Sequence, residues 1–285
     1  MTDPQLPRVL APVVTPFFSD LEIDTPRFLE HCDQLVQSGA GLTLFGTNSE
    51  ANSLSLSERG ELLGAVLAHG IPTKLLIVGT GTCSIPETVA LTEEAVHAGC
   101  PGVLMLPTFF YKNQTTAGVV AYFSEIIERV ADGRLRIYLY NIPSLSGVSI
   151  STEVVRQLAD RYPTAIAGLK ESSGDWATTQ VLMQEAVERG LDVYVGSERF
   201  LLQALAAGGR GCISATANVN ARAIVDLADN PERADANDKQ RGLAAMRTAF
   251  ENSGSLISVV KANLALRYGH DGWRRVRPPL QAISR

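Results

Sequence analysis

Leu135-Arg136-Ile137-Tyr138-Leu139-Tyr140 and Ala165-Ile166-Ala167-Gly168-Leu169 are short runs of β-branched, aromatic and aliphatic residues, and residues 151–161 between them carry apolar side chains at helical spacing. Two strands joined through a helix of that length read as parallel neighbours with a right-handed crossover. The same unit repeats outward in both directions. Toward the N-terminus, strands are expected at residues 9–14, 41–45, 74–78 and 102–106. Amphipathic stretches lie between and after them at 26–37, 57–69, 86–98 and 117–131. Toward the C-terminus, 192–195 and 211–214 complete a set of eight strands. Ser57, and Ser84 ahead of Pro86, read as helix starts. Gly39, Gly70 and Gly99 read as helix stops that need positive φ.

Eight is the number of strand–helix units that closes a barrel, so the expected fold class is α/β, a (β/α)8 TIM barrel. A doubly wound open sheet is the structural rival. Gly79-Thr80-Gly81-Thr82 resembles a fragment of a dinucleotide fingerprint, but it lacks the third glycine and follows the third strand. After the eighth strand the pattern is helical, over 221–229, 232–252 and 255–268, with breaks at Asn230-Pro231 and Ser253-Gly254. The expected organisation is a barrel over residues 1–222. A C-terminal helical extension over 223–285 packs on it without forming an independent domain.

A formal net charge of −5 argues against a nucleic-acid or anionic-membrane partner. No apolar run approaches the roughly 18 residues of a membrane span. Residues 1–8 lack a basic segment followed by an apolar one, so export is not expected. Cys32, Cys83, Cys100 and Cys212 are scattered without a CxxC pair, which reads as reduced thiols in a cytoplasmic protein.

In such a barrel the reacting groups sit just after the strands. Those positions read Gly46-Thr47-Asn48-Ser49-Glu50, Pro107-Thr108-Phe109-Phe110-Tyr111-Lys112, Tyr140-Asn141-Ile142-Pro143, Gly168-Leu169-Lys170-Glu171-Ser172-Ser173-Gly174 and Gly196-Ser197-Glu198-Arg199. The chain has only five lysines, which narrows the choice of a nucleophilic amine. Lys74 begins its strand and so lies on the wrong face. Lys239 and Lys261 fall on outer helices, and Lys112 on a wet loop. Lys170 alone ends an apolar strand, where burial favours the neutral amine that attacks a ketone. The plainer reading is a lysine that caps helix carbonyls or pairs with Glu171. Tyr140 likewise reads either as a proton shuttle or as a core aromatic with a satisfied hydroxyl.

The segments Gly46-Thr47-Asn48-Ser49-Glu50, Tyr140-Asn141-Ile142-Pro143 and Gly168-Leu169-Lys170-Glu171 resemble the signatures of the dihydrodipicolinate synthase/N-acetylneuraminate lyase superfamily. The resemblance runs from about Leu10 to Asn218 and more weakly through the C-terminal helices. It implies a barrel with C-terminal helices and a Schiff base between Lys170 and pyruvate or another 2-oxo acid; no cofactor or metal is expected, since the sequence shows no ligand cluster and no complete phosphate loop. Tyr140 would move protons, Thr47 would relay them, and Tyr111 would come from a neighbouring subunit. A homotetramer built as a dimer of dimers is implied. Gly46, Asn48, Ser172, Gly196, Glu198, Arg199 and Ile213 are the expected substrate-binding positions. Two departures stand out: Asn48 replaces a Thr or Ser that binds the substrate carboxylate, and Ser49 replaces a glycine.

The sequence also bears on the branch. Tyr140-Asn141-Ile142-Pro143-Ser144-Leu145-Ser146-Gly147 is similar to the lyase branch. In the synthases an arginine stands at the position of Leu145, and leucine cannot form that bidentate grip on a carboxylate. The sialic-acid lyases use an acidic pair and a hydroxyl where this chain has Glu198, Arg199 and Ala215. Arg199 is then expected either to meet a distal carboxylate or to pair with Glu198. The favoured expectation is an aldolase- or dehydratase-type lyase acting on a 2-keto-3-deoxy sugar acid. The alternatives are 4-hydroxy-tetrahydrodipicolinate synthase and a non-catalytic oxo-acid sensor. A metal-dependent aldolase is disfavoured, because His31, His69, His97 and His270 fall on helices or the tail.

Overall fold

The computed structural model describes residues 6–283; most of the N-terminal stretch read for export signals lies outside the described residues. Eight parallel strands close into a barrel in sequence order: β1 (Val9–Pro12), β2 (Gly41–Leu44), β3 (Leu76–Gly79), β4 (Val103–Met105), β5 (Ile137–Asn141), β6 (Ile166–Glu171), β7 (Asp192–Val195) and β8 (Gly211–Ile213). β8 pairs with β1 through Val9–Cys212 and Leu10–Ile213, which excludes the open sheet. The helices are α1 (Thr25–Gln37), α2 (Leu56–Ala68), α3 (Ile85–His97), α4 (Thr116–Val130), the single turn α5 (Pro143–Ser146), α6 (Thr152–Arg161), α7 (Trp176–Glu188), α8 (Leu201–Ala206), α9 (Ala217–Asp229), α10 (Ala236–Asn252) and α11 (Leu256–Tyr268).

Strand alternation sorts the core into two shells. Leu10, Ile77, Leu104, Tyr138, Tyr140, Tyr194 and Ile213 fill the barrel interior. The other face of each strand packs on the helices, as Val9, Leu42, Val103, Leu139 and Leu169 do. Tyr138 needs room, and two glycines provide it. A Cβ on Gly168 would stand 2.5 Å from the Tyr138 ring, and one on Gly102 2.8 Å.

Local chemistry moved several expected boundaries. Ser55, not Ser57, caps α2: its hydroxyl accepts from the Glu58 amide at 3.2 Å and the Glu58 carboxylate reaches back to its own amide at 2.8 Å. Residues 73–75 form a 3₁₀ turn ahead of β3. β6 runs on through Lys170 and Glu171, so the lysine is a strand residue. Gly39, Gly70 and Gly99 do adopt positive φ.

α9 bends at Asn220 and packs on β1 and α1, so it acts as the eighth helix of the barrel. The expected 222/223 boundary falls within α9, and α10, α11 and the tail follow that helix. Phe250, Val259, Val260, Leu264 and Trp273 of this C-terminal extension pack with Val14 and Ala215, at the exits of β1 and β8. This places the extension against the end of the barrel where reacting groups are expected. No helix among the described residues is long and apolar enough to cross a membrane.

Candidate active site

Lys170 and Tyr140 are register partners on β6 and β5. Both point into the barrel, each 3% exposed, and the Lys170 Nζ lies 4.1 Å from the centre of the Tyr140 ring. Glu171 takes the opposite side of the strand. Its carboxylate accepts from Asn141 Nδ2 at 3.1 Å, from the Ser173 amide at 2.8 Å and from the Thr179 hydroxyl. The pairing of Lys170 with Glu171 that the sequence left open is thus excluded by alternation.

The loop after β2 brings a third group. Residues Thr47–Ser49 form one 3₁₀ turn, flanked by Phe45 at φ 54° and Glu50 at φ 57°. Left-handed backbone at non-glycine residues is costly and recurs at functional sites. The turn sets Thr47 Oγ1 3.2 Å from Tyr140 Oη. Gly79 explains how the bend fits: a Cβ there would lie 2.1 Å from the Phe45 carbonyl oxygen. A Cβ on Gly81 would lie 2.5 Å from the Leu106 amide. The glycines of the fingerprint-like segment therefore serve close backbone packing. Ser49, the departure from glycine, is accommodated as a pin. Its hydroxyl donates to Val13 O at 2.6 Å and its carbonyl accepts from Thr15 Oγ1 at 2.7 Å.

Above these groups lies a cavity of about 650 Å³. Of the expected residues, Thr47, Asn48, Tyr140, Lys170, Ser172, Gly196, Arg199 and Ile213 line it. The Ser172 hydroxyl is buried without a hydrogen-bond partner, and Gly196 makes its position possible, since a Cβ there would stand 2.0 Å from it. Gly46, Tyr111 and Glu198 are not brought into the lining. Gly46 begins the turn beneath. Tyr111 is 65% exposed on the loop after β4, edge-on to Phe110, which is 73% exposed. Glu198 is buried and engaged, accepting from the Ser214 and Thr216 hydroxyls.

Of the two arrangements expected for Arg199, the pair with Glu198 does not form. Arg199 turns to α10, where it pairs with Glu251 and donates to Thr248 Oγ1 at 3.2 Å. Arg247 of α10 lies 3.6 Å from Glu198, donates to Ser214 Oγ at 3.1 Å and to Glu251 at 2.7 Å. Two arginines and two glutamates thus balance one another, with Arg199, Arg247 and Glu251 in the wall and Glu198 behind it. Arg247, Glu251, Leu256, Ile257, Pro279 and Leu280 are cavity residues that the sequence did not mark. Lys261 is a further correction: α11 is an outer helix, yet this lysine is fully buried against Glu50 at 2.6 Å. Burial pulls its pKa down to about 8, against the pull of Glu50. Among the described residues no group of three or more His, Cys, Asp or Glu side chains is arranged to hold a metal ion.

The model of the dihydrodipicolinate synthetase family matches residues 5–285. An uncharacterized DapA-like lyase of Chloroflexus aurantiacus is 32% identical over 224 residues, 76% of this chain and 73% of that protein. The 4-hydroxy-tetrahydrodipicolinate synthase of Salinibacter ruber is 33% identical over 256 residues, 88% of this chain and 83% of its own. The crystal structure of dihydrodipicolinate synthase from Agrobacterium tumefaciens superposes with a TM-score of 0.89 at 30% identity, covering 97% of this chain and 93% of that one. The chain belongs to the dihydrodipicolinate synthetase family and is a class I lyase, of the kind that works through a Schiff base with pyruvate.

Proposed function

We propose that Lys170 is the Schiff-base lysine of a lyase for a 2-keto-3-deoxy sugar acid or a related 2-oxo acid, with pyruvate as product or co-substrate. The Lys170 amine adds to the C2 ketone, and loss of water from the carbinolamine leaves the imine. In the retro-aldol direction the C4 hydroxyl gives up its proton and the C3–C4 bond breaks. Its electron pair enters the imine to give an enamine, and the aldehyde departs. Protonation at C3 and hydrolysis then release pyruvate and the free amine. Tyr140 carries these protons, with Thr47 Oγ1 at 3.2 Å as its relay. Asn48 has an amide that donates to the carboxylate next to the ketone.

The observation that carries the substrate class is the balanced wall. Arg199 and Arg247 already have Glu251 and Glu198 as partners, so a second carboxylate on the substrate would meet arginines whose charge is offset. The unpartnered Ser172 hydroxyl and the side chains of Ser144, Ser173 and Asn52 suit a neutral, hydroxylated chain. Leu145 at the mouth adds no charge for a second carboxylate. The names of the relatives favour a second reading, condensation of pyruvate with aspartate semialdehyde. The exposure of Phe110 and Tyr111 supports a second copy of the chain covering them, with Tyr111 reaching into its neighbour's site.

Borohydride treatment in the presence of pyruvate tests the reading. The expected result is a covalent adduct on the peptide bearing Lys170, followed by pyruvate release from a panel of 2-keto-3-deoxy sugar acids. No adduct would leave a reversible oxo-acid binder. Faster condensation with aspartate semialdehyde than sugar-acid cleavage would make the protein a synthase.

A further inference from the structure

The Lys170 chemistry leaves one buried charge pair unused. Glu50 closes the Thr47–Ser49 turn, and its amide donates to the Thr47 carbonyl at 3.1 Å. Its carboxylate accepts from Lys261 Nζ of α11 at 2.6 Å and from the Arg277 amide at 2.9 Å. Among the described residues this is the one ion pair with both side chains at 0% exposure. The ring of Phe17, on the loop after β1, lies against both cations, 4.5 Å from Lys261 Nζ and 4.9 Å from the Arg277 guanidinium. That guanidinium also donates to Ser53 O at 2.6 Å and pairs with Glu58 at the start of α2.

Two buried charges are a poor way to gain stability, because desolvation offsets most of their attraction. They are a good way to fix one geometry. Glu50 is in the left-handed region at φ 57°, its carboxylate meets both donors, and its own amide is hydrogen-bonded to the Thr47 carbonyl. On the other side of the pair, Leu256 and Ile257 at the start of α11 and Pro279 and Leu280 after Arg277 line the cavity. One contact therefore links the proton-relay turn to the wall supplied by the C-terminal extension.

We propose that Glu50 and Lys261 are positioning residues: through this pair the C-terminal extension holds the Thr47 hydroxyl on Tyr140, and so controls the rate of proton transfer without changing how much imine forms at equilibrium. This rests on the assignment of Lys170 and Tyr140 made above. A misplacement of about 1 Å at such a relay costs on the order of a hundredfold in rate. Removing Lys261 alone would strand Glu50 in an apolar site, so the variant to use is the double Glu50→Gln, Lys261→Met, which removes both charges at similar volume.

Three quantities are measured on parent and double variant: the melting curve, borohydride trapping of pyruvate, and kcat with KM on the cleaved sugar acid. The expected result is a cooperative melt near the parent's, undiminished trapping, KM within about threefold and kcat lower by about tenfold to a hundredfold. A kcat within about threefold of the parent overturns the proposal. So does a parallel loss of trapping, KM and kcat, which would mean general damage to the site. Failure of the parent itself to trap pyruvate defeats the Lys170 assignment, and that is visible before any variant is compared.

Discussion

Tyr140→Phe separates proton transfer from the imine itself, because the first is assigned to the Tyr140 hydroxyl and the second is carried by the Lys170 amine. The ring, whose centre lies 4.1 Å from Lys170 Nζ, is kept; only the hydroxyl is lost. The structural cost is small. Tyr140 Oη is hydrogen-bonded to Thr47 Oγ1 at 3.2 Å, and Thr47 borders the cavity, where water can replace the missing partner. A net hydrogen bond of that kind contributes about 1 kcal/mol to stability. The catalytic cost is larger, since a positioned acid–base group accelerates a step by roughly 10²- to 10⁴-fold, or about 3–5 kcal/mol in the barrier. The two magnitudes differ enough to be told apart. Steady-state pyruvate release should fall by about 10²- to 10⁴-fold in kcat. Borohydride should still reduce the pyruvate imine onto Lys170, and the melting temperature should move by a few degrees at most. A kcat within about tenfold of the parent would refute the role given to Tyr140. Loss of trapping together with turnover would show that the phenol acts in forming the imine as well.

Lys170→Ala should abolish both the adduct and turnover while the fold persists; activity within about tenfold of the parent would end the Schiff-base assignment. Leu145→Arg should raise condensation with aspartate semialdehyde only modestly, because Leu145 is 63% exposed in one copy of the chain. An ion pair in that setting is worth about 1 kcal/mol or less, roughly fivefold in kcat/KM, whereas a gain above about 30-fold would mean that the site is covered in the working assembly. His31 is buried between Tyr268 and Asn218, and burial lowers its pKa from 6.5 to about 4, against the Asn218 hydrogen bond. The unfolded chain therefore takes up a proton before the folded one does. His31's contribution is complete above pH 6.5 and is lost as pH falls toward 4, by up to about 3 kcal/mol. Urea midpoints should fall more steeply between those pH values in the parent than in His31→Gln, and equal slopes would contradict the assigned neutral state.

What the sequence made legible follows from the range of the signal. Each strand–helix unit is a local pattern, so the eight units and their order could be read without knowing what packs on what. Lys170 was legible for the same reason, as the polar end of an apolar strand within a family-like motif. Thr47 and Tyr140 came through the motifs, and only the closed barrel brings them together across 93 residues of chain. Cap choice lay at the edge of legibility: Ser55 and Ser57 both precede Glu58, and only hydrogen-bond geometry selects Ser55. Ion-pair partners lay beyond it. Arg247 and Glu251 stand four apart on α10, a spacing that reads as a solvated helix face. Tertiary packing instead turns Arg247 inward onto Glu198 and gives Glu251 a second partner in Arg199. Lys261 finds Glu50 across 211 residues, and nothing near either residue announces it. Motifs recorded the chemistry at the strand ends, whereas the extension that walls the cavity carries no motif at all. Differences in substrate among proteins with these strand-end motifs are therefore expected to lie in α10, α11 and the tail, where exchanging those segments should change specificity and leave pyruvate trapping intact.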